Sequence, residues 1–219
     1  MIIKICGVKT FEVALAAVEA GADMLGFNFY PSSPRYIEPE VCAELMVNLK
    51  RHVARRKLQA SSFFSVGIFV NETPQRVREI MAVCNLDLAQ LAGDESQEDL
   101  AALDGKAFKA VRPKSIAETD MLFQQYGRNQ PPALLVDAHV KGAYGGTGET
   151  GDWPLARYLS AQAPILLAGG LNPENVDAAV RAVNPWGVDV ASGVESGPGV
   201  KDTFKISAFI SAARSAITQ

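Results

Sequence analysis

Two residues that can transfer protons stand at the ends of apolar runs in the 219-residue sequence. Asp137 follows the run 133–136 and precedes a glycine-rich loop, and Cys6 ends a run that begins at Ile2. Parallel α/β proteins concentrate their chemistry at the carboxyl ends of strands. Asp137 is therefore a candidate catalytic acid, with an Asx-turn or a helix cap as the alternative. Cys6 is either a reactive thiol or a small buried core residue.

Two glycine-containing turns indicate a site for a phosphate group. Gly169-Gly170 follows one late apolar run, and Ser192-Gly193 follows the next. Glycine lets backbone N–H groups come close to phosphate oxygens, and barrel enzymes commonly bind phosphate after their last two strands. The alternative is that both are simple connections between a strand and a helix.

Two further charged residues are candidates for binding a substrate. Arg35 ends a proline-rich loop, and its guanidinium fits a ligand carboxylate, although such an arginine is by default simply exposed. Asp189 lies between Val188 and Val190, so in a strand it must point to the opposite face. If the valines face outer helices, Asp189 faces the mouth of a barrel, where it binds a polar substrate group or braces a loop.

Elements of regular structure must bring these residues together, and the sequence indicates them clearly. Short apolar runs alternate with amphipathic helical patterns along the chain, as in sheets of parallel strands joined by helices. The predicted strands are 2–6, 23–29, 64–70, 86–91, 107–111, 133–137, 165–168 and 188–191. The predicted helices are 10–20, 39–57, 74–84, 96–103, 115–126, 153–161, 173–183 and 203–216. Thr73-Pro74 and Asn172-Pro173 each place a capping residue before a proline at the first helical position.

The alternation predicts an α/β fold, a single-domain (β/α)8 TIM barrel over residues 1–219. Eight β–α units follow one another without a linker or a shift in composition. A doubly wound open sheet is the alternative, but no GxGxxG turn follows the first strand.

Composition excludes several classes of partner. The formal charge is −3 and no basic cluster stands out, so we expect no nucleic-acid partner. No apolar run reaches the roughly 18 residues of a membrane span. The amino terminus enters a strand directly, without the pattern of a signal peptide, which predicts a cytoplasmic protein.

Cysteines and histidines give no sign of a metal site. The three cysteines, Cys6, Cys42 and Cys84, lack CxxC spacing, so neither a disulfide framework nor a zinc site is expected. His52 and His139 are too few and too scattered to hold a metal, and neither receives a role.

Taken together, the sequence resembles the phosphoribosylanthranilate isomerase family of tryptophan biosynthesis. The matching segments, in family order, are KICG (4–7), GFNFYPSSPRYI (26–37), VGIFVNE (66–72), DAHVKGAYGGTGETGDW (137–153), LAGGLNPENV (167–176) and VDVASGVESGPGVKD (188–202). The resemblance implies a cofactor-independent Amadori rearrangement of a small phosphorylated substrate, N-(5-phosphoribosyl)anthranilate, to 1-(carboxyphenylamino)-1-deoxyribulose 5-phosphate.

The resemblance also implies roles for individual residues. Cys6 would be the general base, Asp137 the general acid, and Arg35 the ligand of the anthranilate carboxylate. Asp189 would add a polar contact. The phosphate would lie against Gly169, Gly170, Ser192 and Gly193.

The implied acid and base must work against their usual pKa values, which are about 3.9 for Asp and about 8.5 for Cys. The acid must carry a proton and the base must have lost one. Burial can raise the pKa of the carboxyl, and nearby positive charge can lower the pKa of the thiol.

The chain departs from the family pattern at three places. The usual QLHG after the fourth strand is Gln90-Leu91-Ala92-Gly93, which predicts weaker binding or turnover because a hydrogen bond is lost. Gly151 replaces an aromatic residue before Asp152-Trp153, which predicts a glycine-rich lid that closes less firmly. The segment 51–62 is longer than usual, and we expect it at the amino-terminal face, away from the site.

Two other functions stay open at the level of sequence. One is a diverged isomerase of another aminosugar phosphate, suggested by Ala92, and the other is a non-catalytic barrel that binds a phosphorylated ligand. The sequence is compatible with a monomer or a homodimer.

Overall fold

The computed structural model describes residues 1–56, 63–138 and 153–216. Within these ranges, eight parallel strands close into a barrel in chain order. The strands are β1 Ile2–Cys6, β2 Met24–Asn28, β3 Phe64–Phe69, β4 Leu88–Leu91, β5 Ala107–Val111, β6 Leu134–Asp137, β7 Ile165–Ala168 and β8 Gly187–Val190. The helices between and after them are α1 Phe11–Ala20, α2 Pro39–Arg56, α3 Pro74–Cys84, α4 Gln97–Ala101, α5 Ile116–Tyr126, α6 Trp153–Ser160, α7 Val176–Val183 and α8 Thr203–Ser215.

Pairing between the first and last strands closes the sheet and confirms the predicted (β/α)8 barrel. In that pairing Ile3 is opposite Val188, and Lys4 is opposite Asp189. The open-sheet alternative is wrong, because an open sheet leaves its two edge strands unpaired.

Alternation along the strands divides the apolar side chains between two cores. On β7, Ile165 and Leu167 pack outward with the helices, whereas Leu166 points into the barrel. Phe108 of β5 is fully buried in the inner core, beside Leu135. The barrel interior is thus a packed layer of side chains that forms a floor beneath the carboxyl ends of the strands.

The two predicted proline-marked helix starts have different outcomes. Thr73 caps α3, since its hydroxyl accepts from Arg76 N at 3.2 Å and Pro74 occupies the first turn. The prediction that α7 begins at Pro173 is wrong, because this helix begins at Val176. The Asn172 side chain instead accepts from the backbone N–H groups of Glu174 and Asn175. These bonds stabilise a separate turn before the helix.

A small hairpin after the barrel was not predicted. A short 3-10 helix, Ser192–Val194, leads into β9, Glu195–Gly197, which pairs antiparallel with β10, Val200–Lys201. The Gly197-Pro198-Gly199 run is a turn signal of the kind that joins two such strands. The hairpin places Glu195 and Lys201 at the mouth of the barrel, and both contribute to the site described below.

Several predictions fall outside the described residues. They concern the loop 139–152, with His139 and the lid residue Gly151, and positions 57–62 of the segment 51–62. The described part of that segment, 51–56, continues α2. No helix in the described ranges is long and apolar enough to cross a membrane.

We expect Phe108→Ala to destabilise the barrel strongly. The ring is fully buried inside the closed sheet, so its removal leaves a cavity that the neighbouring strands cannot close. Urea unfolding should show a loss of about 3 to 5 kcal/mol, the usual range for a buried Phe→Ala. A loss below about 1 kcal/mol would contradict the packed-interior description.

Candidate active site

A cavity of about 580 Å³ opens at the carboxyl ends of β4 to β8. This volume lies within the usual range for a small-molecule site. Five of the eight residues singled out from sequence line it: Asp137, Gly169, Gly170, Asp189 and Ser192. Cys6, Arg35 and Gly193 are not among the lining residues, but contacts described below connect each of them to the cavity or to its walls.

Asp137 ends β6 and faces the cavity. Its side chain is 26% exposed, and Arg112 at the end of β5 donates a hydrogen bond from Nη2 to its Oδ2. The Arg112 side chain is 57% exposed and lines the same cavity. Sequence reasoning gave Arg112 no role, because an exposed arginine after a strand carries no signal of its partner.

Cys6 ends β1 with its side chain directed into the barrel. The thiol is buried, and Gly26 on the neighbouring strand leaves room for it, since a Cβ at Gly26 would lie 3.1 Å from Sγ. Burial raises the pKa of the Cys6 thiol, although the Lys4 ammonium opposes that shift. Lys4 and Lys201 act to lower this pKa, in the direction that the sequence suggested, but desolvation outweighs them and the net shift is upward.

A hydrogen-bond network around the buried Lys4 ammonium connects the surroundings of Cys6 to the cavity. Lys4, fully buried on the same face of β1, donates to Asp189 Oδ1 at 2.7 Å and to Gln90 Oε1 at 3.0 Å. Burial disfavours the ammonium, but Asp189 and Cys6 more than offset this and raise the pKa of Lys4. The carboxylate of Asp189 therefore faces the interior and both braces Lys4 and lines the cavity.

The two predicted phosphate turns are in close contact with each other. Gly169 and Gly170 have φ values of 99° and 66°, a conformation that residues with a side chain rarely adopt. A Cβ at Gly193 would lie 1.9 Å from the Leu171 carbonyl oxygen, so only glycine allows this approach. The turns after β7 and β8 thus form one continuous surface of backbone at the cavity wall.

Arg35 lies beside Cys6 but makes an internal ion pair. Its Nε and Nη2 donate to the two carboxylate oxygens of Glu195 at 2.7 and 2.8 Å. A Cβ at Gly7 would meet the Arg35 side chain at 2.7 Å, so the arginine stem packs directly on the residue after Cys6. Sequence reasoning assigned no role to Glu195, although it belongs to the quoted SGVE segment.

A second buried ion pair shapes the wall that contains Ala92. Glu95 accepts from the backbone N–H groups of Asn71 and Gly93, and Lys109 donates to it at 2.7 Å. Ala92 lines the cavity and donates its own N–H to Phe69 O. The backbone around the departure from the family pattern is thus firmly held. Among the described residues, no three His, Cys, Asp or Glu side chains converge as a metal site would require.

Similarity to known proteins extends over nearly the whole chain. A family profile described as N-(5'-phosphoribosyl)anthranilate (PRA) isomerase matches residues 3–212. The N-(5'-phosphoribosyl)anthranilate isomerase of Roseiflexus sp. (strain RS-1) is 47% identical over 218 residues, 98% of each chain. The crystal structure of phosphoribosyl anthranilate isomerase from Thermotoga maritima covers 98% of this chain and 100% of its own, with 36% identity and a TM-score of 0.83. A crystal structure of phosphoribosyl anthranilate isomerase in complex with reduced 1-(o-carboxyphenylamino)-1-deoxyribulose 5-phosphate has the same coverage, 34% identity and a TM-score of 0.80.

The ion pairs of Glu195 predict a specific loss of stability in acid. Burial disfavours the carboxylate, but hydrogen bonds from Arg35 and Lys201 lower the pKa of Glu195 from 4.5 to about 2. A lowered pKa in the folded state stabilises the fold above the ordinary value, and this contribution is lost as pH falls through the folded-state value. We therefore expect Glu195→Gln to be less stable than the parent protein at neutral pH, with the difference shrinking between about pH 4.5 and about pH 2.

Urea unfolding followed by circular dichroism across this range measures the difference. A gap in the free energy of unfolding that stays constant with pH would contradict the ion-pair assignment.

Proposed function

Because the chain belongs to the N-(5'-phosphoribosyl)anthranilate isomerase family, we propose that Cys6 and Asp137 carry out its isomerisation as base and acid. The reaction converts phosphoribosylanthranilate to 1-(2-carboxyphenylamino)-1-deoxyribulose 5-phosphate in tryptophan biosynthesis. The observation that carries the residue assignment is one cavity with Asp137 on one wall and the Asp189–Lys4 pair, adjacent to Cys6, on another. Family membership favours this isomerase over another aminosugar phosphate isomerase and over a non-catalytic binder.

In the proposed first step, Asp137 protonates the ring oxygen of the furanose. The carbon–oxygen bond breaks, and the nitrogen lone pair forms an iminium ion with the first sugar carbon. Arg112 donates to Oδ2 of Asp137 in the free protein, so in this proposal the transferred proton is carried on the other carboxyl oxygen, Oδ1.

In the proposed second step, the Cys6 thiolate removes the proton from the second sugar carbon. The electrons of that carbon–hydrogen bond move toward the nitrogen and give an enamine that carries a hydroxyl on the second carbon. It becomes the ketone when the first carbon gains a proton and that hydroxyl loses its own. The substrate nitrogen is the electron sink, so the scheme uses neither a metal nor a cofactor. It is an aldose–ketose isomerisation, which is an intramolecular oxidation and reduction.

The remaining residues bind the two ends of the substrate in this proposal. The joined turns at Gly169, Gly170, Ser192 and Gly193 hold the phosphate, supported by the close approach of their backbones. Arg35 holds the anthranilate carboxylate, supported by its position over Gly7, next to the thiol. Asp189 contacts a polar group of the sugar.

Two general properties also belong to the proposal. The protein works in the cytoplasm, where its three cysteines stay reduced, which agrees with their lack of disulfide partners. Residues 1–219 act as one domain, either as a monomer or as a homodimer.

Replacing either proton-transfer group should nearly abolish turnover. We expect Cys6→Ser and Asp137→Asn to lower kcat by about 10² to 10⁴, the usual contribution of a general acid or base. The loss of anthranilate fluorescence, with substrate generated in situ, measures the rate. Cys84→Ser is the matched control, because Cys84 is a buried thiol between α2 and α3 that donates to Pro39 O. Folded variants of Cys6 and Asp137 that keep parental kcat would sink the assignment.

The pH dependence should differ between free and liganded enzyme. Burial raises the pKa of Cys6 in the free protein, so kcat/KM should rise with pH until the thiol ionises above its ordinary range. In the complex, the positive iminium favours the thiolate, so the same limb of kcat should lie at lower pH. Initial rates over pH 6 to 10 show whether kcat rises at lower pH than kcat/KM. If kcat/KM rises at the lower pH instead, the result counts against Cys6 as the base.

A further inference from the structure

Glu195 holds one edge of the Arg35 guanidinium and leaves the other directed elsewhere. The bidentate pair uses Nε and Nη2, at 2.7 and 2.8 Å from the carboxylate oxygens. A guanidinium has a second edge, formed by Nη1 and Nη2, that can bind another carboxylate in the same fork geometry. The Glu195 side chain is 4% exposed, whereas that of Arg35 is 24% exposed. The internal carboxylate is therefore buried, while part of the Arg35 side chain still reaches solvent.

We propose that Glu195 is a positioning residue that fixes Arg35 so that the outer edge of the guanidinium receives the aminobenzoate carboxylate of the substrate. This inference rests on the proposed role of Arg35. In this role Glu195 contributes to substrate selection through Arg35, without contact with the substrate.

Packing fixes the arginine stem in the orientation that this role requires. A Cβ at Gly7 would lie 2.7 Å from Arg35 Cδ, so the stem rests on bare backbone next to the thiol. The preceding residue is also held, because Gly199 of the hairpin leaves no room for a side chain against Pro34 O and Lys9 donates to that oxygen at 3.0 Å. Packing thus restricts the stem of Arg35, and the ion pair with Glu195 restricts its guanidinium.

Electrostatics allow a second carboxylate to bind beside the first. Lys201 donates to Glu195 Oε1 at 2.9 Å, and Gly199 N donates to Oε2 at 3.2 Å. The side chain of Lys201 is 2% exposed, so its charge acts in a desolvated environment. Two cations face one carboxylate, and the cluster keeps a net positive charge. A ligand carboxylate that meets Arg35 therefore finds a stronger attraction than a neutral arginine–glutamate pair alone would give.

The test is a binding comparison between two ligands that differ only in the carboxylate. One is reduced 1-(o-carboxyphenylamino)-1-deoxyribulose 5-phosphate, and the other is the same compound with an unsubstituted phenyl ring. Dissociation constants would be measured by calorimetry for the parent protein, Glu195→Gln, Arg35→Met and the double variant. Glu195→Asp is included because it keeps the negative charge beside Lys201 and shortens the reach to Arg35, in case the Gln variant does not fold.

We expect Glu195→Gln and Glu195→Asp to weaken the carboxylated ligand about tenfold and to change the other ligand by less than about twofold. In the Arg35→Met background, Glu195→Gln should have no further effect, because the residue it positions is gone. Asp23→Asn is the matched control, since it breaks the Arg214–Asp23 pair at the amino ends of the strands and should leave the ratio of the two affinities unchanged.

Three results would overturn the inference. In the first, Glu195→Gln weakens both ligands equally, which indicates a general structural role. In the second, it tightens the carboxylated ligand, because a released Arg35 then binds it better. In the third, its effect persists without Arg35. Absence of turnover in the parent protein would instead refute the proposed function, so the two failures are distinguishable.

Discussion

The ion pair between Lys4 and Asp189 spans the seam at which the barrel closes. The two residues are register partners on β1 and β8, both buried, and their side chains meet at 2.7 Å inside the barrel. An isolated ammonium at this position would be very costly, so the strands that carry it must bring a carboxylate opposite. The Lys4 ammonium also donates to Gln90, so β4 is a third strand that contributes to this network. The pairing of β1 with β8 that closes the sheet therefore also places the Lys4–Asp189 charges beside Cys6.

Positive and negative side chains alternate around Cys6, although charged side chains are rarely buried in protein interiors. Lys4, Lys201 and Arg35 are all coupled electrostatically to the thiol, and each cation is paired with Asp189 or Glu195. Such buried pairs are weak contributors to stability compared with apolar packing of equal volume. Their presence here has a functional reading, because a base that must ionise in a dry site needs fixed cations close by. In the free protein the balance favours the neutral thiol. In the proposed mechanism, the positive charge that develops on the substrate shifts it toward the thiolate.

The sequence carried enough information for the fold and for the polar ends of the strands. Alternating periodicities located every barrel strand. Glycine marked the turn at Gly169, where φ is positive, and the turn at Gly193, where the backbone has no room for a side chain. What it could not give was pairing across the barrel. In the sequence Lys4 is an ordinary strand lysine, and only the pairing of β1 with β8 places Asp189 against it. Likewise, no residue near Arg35 in the sequence predicts its pairing with Glu195. The start of α7 was predicted wrongly because the Asn172 side chain had two local options. It stabilises a turn at residues 172–175, immediately before α7, and does not cap the helix.

In the proposed mechanism, Cys6 and Asp137 act on one substrate held between Arg35 and the joined glycine turns. A crystal structure of this protein with the reduced product analogue would show whether they do. We expect Cys6 Sγ within roughly 3 to 3.5 Å of the second sugar carbon, and Asp137 within hydrogen-bond reach of the oxygen that was the ring oxygen. We also expect the phosphate at Gly170 and Ser192 and the carboxylate at the outer edge of Arg35. A sugar carbon more than about 5 Å from the thiol, well beyond any near-attack distance, or a phosphate bound elsewhere, would contradict it.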